Sequence, residues 1–180
     1  MNFIKYTRIL VLTASVCATY FALADDDEKH ESNGHEWASR RSIDTVDDPG
    51  YKAECASCHM LYPPGLLPAK SWQAMMHGLK DHFGENASLD KATNERLTEL
   101  LSNHAADRST KRRSQKVAQS IAAKDVPLRF TDTLYFKRQH HELGASVWLR
   151  KSVGSPANCV ACHAKAEQGI FSEDDVKIPK

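Results

Sequence analysis

The sequence runs to 180 residues with 24 basic and 23 acidic side chains, a formal charge of +1. That length allows one ordinary domain or two small ones, and the balanced charge excludes the strongly basic surface of a nucleic-acid binder. Beyond the N-terminus no apolar stretch reaches the ~20 residues of a membrane-spanning helix, so the processed chain is expected to be soluble.

Lys5 and Arg8 precede an apolar run over 9–24 that ends Phe21-Ala22-Leu23-Ala24, and Asp25 opens an acidic stretch. Small residues at the last and third-last positions mark a secretory signal peptide, residues 1–24, cleaved after Ala24. An uncleaved anchor is the competing reading, but the run is short for a span. Cys17 leaves with the signal. Export points to the periplasm. Cleavage takes two of the 24 basic residues and none of the 23 acidic ones, leaving 22 against 23 and a net charge of −1. Residues 25–48 are acidic and polar, with His30 and His35, and read as a flexible N-terminal segment rather than a metal site.

The four remaining cysteines form two pairs, Cys55-Ala56-Ser57-Cys58-His59 and Cys159-Val160-Ala161-Cys162-His163. Each is C-x-x-C-H, the c-type heme attachment motif. Two thiols three positions apart can each form a thioether to one porphyrin vinyl group, and the following histidine then lies beneath the ring to ligate iron. Zinc ribbons bring their two pairs within about 15–20 residues of each other, far closer than these, and need no histidine after each. A thioredoxin-like site would need a βαβ pattern, which is missing. Disulfides would leave both histidines unexplained.

The chain therefore divides into a first heme domain (49–107), a basic linker or helix (108–125) and a second heme domain (126–180), mostly α. In the first, the breakers Pro63, Pro64, Gly65 and Pro68 precede a helix over 69–81. Trp72, Met75, Met76 and Leu79 form its apolar stripe, which His82 and Phe83 continue before Gly84. Candidates for the second axial position are Met60, Met75, Met76, His77, His82 and His104. His77 falls on the wet side, Met75 and Met76 read as core, and Met60 is too near its own motif to reach over the ring. Helical phase favours His82. A helix over 89–105 carries His104 on its Leu97, Leu100, Leu101 face; a partly buried histidine near a helix C-terminus is its bland reading. Whether His104 or a methionine replaces His82 stays open.

Residues 108–125 hold Arg108, Lys111, Arg112, Arg113, Lys116 and Lys124, with Val117 and Ile121 one weak apolar pair. A solvated linker face is the simpler reading, and docking of an acidic redox partner the alternative. In the second domain His140 shares its helical face with Phe136 and Leu143, whereas His141 falls with Lys137, Arg138 and Leu134; His140 is the expected ligand. Asn158 is placed to cap an attachment helix after Pro156, and Gly169 to end it. Units this small have little core of their own, so without hemes both are expected to be largely unfolded.

The segment from Glu54 through the first motif and Met60-Leu61-Tyr62-Pro63-Pro64-Gly65-Leu66-Leu67-Pro68 resembles the bacterial diheme cytochrome c family, DHC type. So do Trp72, His82-Phe83-Gly84-Glu85-Asn86-Ala87, and Leu128-Arg129 followed by Thr131. Further matches are His140, the run from Ser155 through His163, and Phe171 with Pro179. The resemblance implies two domains with one heme each; the order of elements in the first resembles a small class I cytochrome c domain, and the second reads as irregular with few helices. It implies bis-histidine iron, with His59 and His82 on one heme and His163 and His140 on the other. It also implies a membrane b-type cytochrome as donor and a small monoheme oxygen-binding cytochrome c as acceptor.

The expected protein is thus a monomeric periplasmic electron shuttle with two covalent hemes c of low potential. Its covalent anchors are Cys55, Cys58, Cys159 and Cys162. A diheme peroxidase or small-molecule reductase with one open iron is the alternative from another class, and a heme-based sensor a third.

Overall fold

The computed structural model describes residues 42–180, and the expected signal peptide, its cleavage site and Cys17 lie outside the described residues. Helix α1 (Pro49–Cys55) starts where the Asp48 carboxylate accepts the Tyr51 N–H at 2.7 Å, with proline in the first turn. Arg96 grips the same carboxylate with two N–H donors at 2.8 and 3.2 Å, and this pairing holds the Asp48 carboxyl below its usual range. Arg96 belongs to α3 (Lys91–Asn103), so the ion pair ties α1 to it.

The helix after the proline run, α2 (Ala69–His77), packs on α3. Tyr51, Leu67, Trp72, Met76, Leu79, Leu97 and Leu101 form the core between them. The buried Trp72 indole donates to the Pro64 carbonyl at 2.7 Å, so the apolar ring is buried without stranding its N–H. Helix α2 stops at His77 instead of running to 81. Gly78 closes it by donating to the carbonyls of Ala74 and Met75, and a 3-10 turn, Leu79–Asp81, follows.

Helix α4 (Arg112–Gln119) is packed rather than a bare linker. Val117 and Ser114 are fully buried, and Val117 joins Ile43, Leu66 and Ala106 in a second apolar cluster flanked by Tyr62, Phe130, Tyr135 and Phe171. The segment expected to be flexible up to residue 48 differs likewise from Ile43 onward. The Ile43 N–H donates to the Gly169 carbonyl at 2.8 Å and the Gly65 N–H to the Asp44 carbonyl at 3.0 Å. These approaches require glycine. A Cβ on Gly169 would lie 2.3 Å from the Ile43 oxygen, and one on Gly65 only 2.6 Å from the Asp44 nitrogen.

The second half holds two short helices, α5 (Leu134–Gln139) and α6 (Ala145–Trp148). Thr133 caps α5, its hydroxyl accepting the Phe136 N–H at 3.1 Å. The helix expected after Pro156 is instead a 3-10 turn, Cys159–Ala161; the Asn158 amide donates to the Val153 carbonyl and caps nothing. Gly169, at φ +72°, closes a separate turn, Ala166–Gln168. The described residues are mostly helical and contain no strand, only isolated bridges at His82–Glu85 and His163–Val176. Among them no helix is long and apolar enough to cross a membrane. The second cluster draws on both halves of the chain, so the two expected domains share buried surface.

Candidate heme sites

The first C-x-x-C-H motif begins at the end of α1, which leaves Cys55 half-buried against the core and Cys58 exposed. His59 follows on the surface. Its Nδ1 lies 2.7 Å from the Met60 carbonyl; a carbonyl only accepts, so the proton sits on Nδ1 and the Nε2 lone pair is free for a metal. The His82 ring faces it, with centroids 6.1 Å apart and planes at 38°. His82 is held by a tight loop in which its N–H donates to the Glu85 carbonyl at 2.7 Å and the Glu85 N–H returns a bond at 3.2 Å. Closing that loop puts Phe83 at φ +58° and Gly84 at φ +102°, a left-handed pair that a bulky residue adopts only at a cost. Tyr62 flanks His59, ring centroids 5.1 Å apart, and Phe83 flanks His82 at 4.8 Å.

The second site mirrors the first in chemistry but not in construction. His140 is the C-terminal cap of α5, its Nδ1 2.9 Å from the Phe136 carbonyl and its ring stacked on Phe136 at 4.1 Å. Trp148 stands edge-on at 5.9 Å. The His163 ring faces His140 with centroids again 6.1 Å apart, here at 88°. His163 is anchored by its N–H to the Cys159 carbonyl at 2.8 Å and backed by Phe171 at 5.3 Å. Its Nδ1 is buried and has no hydrogen-bond partner.

Both pairs fit one iron between two imidazoles. Metal–nitrogen bonds of about 2 Å on each side, plus about 1 Å from nitrogen to ring centre, put axial rings ~6 Å apart. Burial first, then the facing imidazole, lowers the proton affinity of His82 and His163, which favours the neutral form that ligates metal. Burial pushes the Cys55 and Cys159 thiols up to about 11, away from the thiolate that a zinc or disulfide-exchange site needs. No disulfide joins the four described cysteines. Phe83, Leu128, Leu134 and Val160 are 40–54% exposed, apolar surface of the kind a porphyrin covers.

The other candidates lie elsewhere. His77 is exposed, and Met76 is buried in the first core with Met75 packed beside it. His104 turns its Nδ1 toward the Asp44 carboxylate at 3.4 Å. His141 is exposed and bonds the Arg138 carbonyl. Arg129 entered the sequence reading only through the Leu128-Arg129 match and without a role; its guanidinium carbon lies 3.9 Å from the centre of the Phe83 ring, and no local pattern pairs these two residues.

Residues 51–171 match the family described as dihaem cytochrome c. The chain belongs to that family. It is similar to the diheme cytochrome c of Rhodobacter sphaeroides, at 41% identity over 71% of this chain and 98% of that one, with a TM-score of 0.63. The diheme cytochrome type c of Shewanella baltica OS155 is 39% identical over 73% of this chain and 92% of that one, TM-score 0.59. No curated protein sequence matches. This diheme cytochrome c carries two covalently attached heme c groups, and electron transfer is the general chemistry of such proteins.

Proposed function

We propose that this cytochrome is a periplasmic electron shuttle with both irons closed by histidine. His59 and His82 ligate the heme anchored at Cys55 and Cys58, and His163 and His140 the heme anchored at Cys159 and Cys162. The observation that carries this reading is the two facing imidazole pairs, each 6.1 Å between centroids. When bound, the hemes supply a one-electron couple, and histidine in place of methionine lowers its potential. The chain orients the His59 and His140 imidazoles through the Met60 and Phe136 carbonyls, and burial disfavours the protonated form of His82 and His163. With a histidine on each side, the iron would have no position left for peroxide or gas, which favours the carrier over a peroxidase or reductase. Export rests on the signal-peptide pattern of residues 1–24, and a membrane b-type donor and a monoheme acceptor follow the family resemblance. The exposed Arg112 and Lys116 of α4 offer a positive face to an acidic partner.

EPR of the oxidised protein tests this. Both hemes are expected to be low-spin and distinct. The imidazole planes at 88° should give a strongly anisotropic, large-gmax signal and those at 38° a rhombic one. Reduced protein should bind no carbon monoxide, while His82→Ala and His140→Ala should each open one iron to it. A high-spin signal or rapid carbon monoxide binding in the unaltered protein would sink the proposal.

A further inference from the structure

The two attachment segments meet at one side chain. Tyr62 packs its ring against His59, and its hydroxyl donates to the Ala157 carbonyl at 2.7 Å. That carbonyl lies 3.6 Å from the sulfur of Cys159, the first thiol of the second motif. The junction is held from several sides. The Leu61 N–H donates to the Glu167 carboxylate at 2.7 Å, and the Tyr51 hydroxyl donates to the Tyr62 carbonyl at 2.8 Å. Tyr62 also packs against both apolar clusters, so its rotamer is confined.

We propose that Tyr62 is the positioning residue through which the two hemes exchange electrons, its ring and hydroxyl bridging the His59 side of one to the Cys159 side of the other. This rests on the carrier reading above, with His59 as axial ligand. In the exchange one iron passes from ferrous to ferric as the other passes from ferric to ferrous. The tyrosine is neither oxidised nor deprotonated; burial pushes its phenol up to about 12, so the hydroxyl keeps its proton. Electron tunnelling decays far more steeply across a gap than along bonds and hydrogen bonds. The phenol joins the His59 segment to the Cys159 segment by bonds and a single hydrogen bond two residues from Cys159, whereas the Leu61–Glu167 contact enters the second segment beyond His163.

The test is Tyr62→Phe in the assembled diheme protein, which removes the hydroxyl and keeps the ring. A single electron is injected by pulse radiolysis, and its redistribution between the hemes is followed optically and by freeze-quench EPR. Several-fold slower equilibration is expected, with both EPR signals and both midpoint potentials as in the unaltered protein. Tyr51→Phe cuts the bond to the Tyr62 carbonyl but spares the bridge, and Glu167→Gln weakens the neighbouring contact; both should equilibrate at the unaltered rate. An unchanged rate in Tyr62→Phe overturns the proposal, as does equal slowing in Tyr51→Phe or Glu167→Gln, which would assign the effect to packing. Failure of the carrier reading is separable, because it appears as high-spin iron in the unaltered protein whatever Tyr62 does.

Discussion

Arg129 comes from the second half of the chain, yet its guanidinium lies over Phe83, which in turn packs against His82. A fixed positive charge there stabilises the less positive, reduced iron of the neighbouring heme. Arg129→Gln is therefore expected to lower the midpoint potential of the His59/His82 heme and leave the other unchanged, in a redox titration resolved by EPR; Arg129→Lys should retain much of the effect. Equal shifts at both hemes would refute this assignment. The contact depends on the turn that drives Phe83 to φ +58°, and no spacing in the sequence encodes it. The C-x-x-C-H motifs were legible because attachment chemistry is local: two thiols and one imidazole within five consecutive residues.

At the scale of elements, helical phase singled out His82 and His140, although both lie just beyond a helix. Helix α2 ends at His77 and α5 at Gln139. Both rings nonetheless face a motif histidine, because the Leu79–Asp81 turn keeps Leu79 buried on the same side, and because the His140 ring folds back onto Phe136 one turn earlier. The boundary of α2 was missed because its stop, Gly78, sits inside an otherwise continuous apolar stripe. Helix α4 was harder still. A short basic segment with one valine reads as solvated, and only the apposed Ile43 and Leu66 make Val117 a core residue. Val117→Ala should cost about 2 kcal/mol of stability by loss of buried methyl groups, whereas Lys116→Ala on the exposed face should be near neutral. Thermal unfolding of the two variants checks this; equal melting temperatures would return α4 to the status of a linker.

Across the whole molecule, buried surface is unequally shared. The first half has its own core between α2 and α3, while the second half buries little beyond Phe136, Val153 and Ala166 and gathers its aromatics around His140 and His163. The second heme must therefore serve as the core of that half. In a Cys159→Ser/Cys162→Ser variant lacking it, residues 134–171 should lose protection in hydrogen exchange while α2 and α3 keep theirs. Uniform loss across the chain would contradict this division and would favour collapse of both halves, as the small size of each unit suggested. What the sequence determined by itself was the chemistry confined to a few adjacent residues: two covalent hemes, and a helical class. Only the tertiary structure set the two imidazole pairs 6.1 Å apart, joined the Tyr62 hydroxyl to the Ala157 carbonyl and laid Arg129 over Phe83. Those facts join residues far apart in the chain, and packing rather than local pattern brings such residues together.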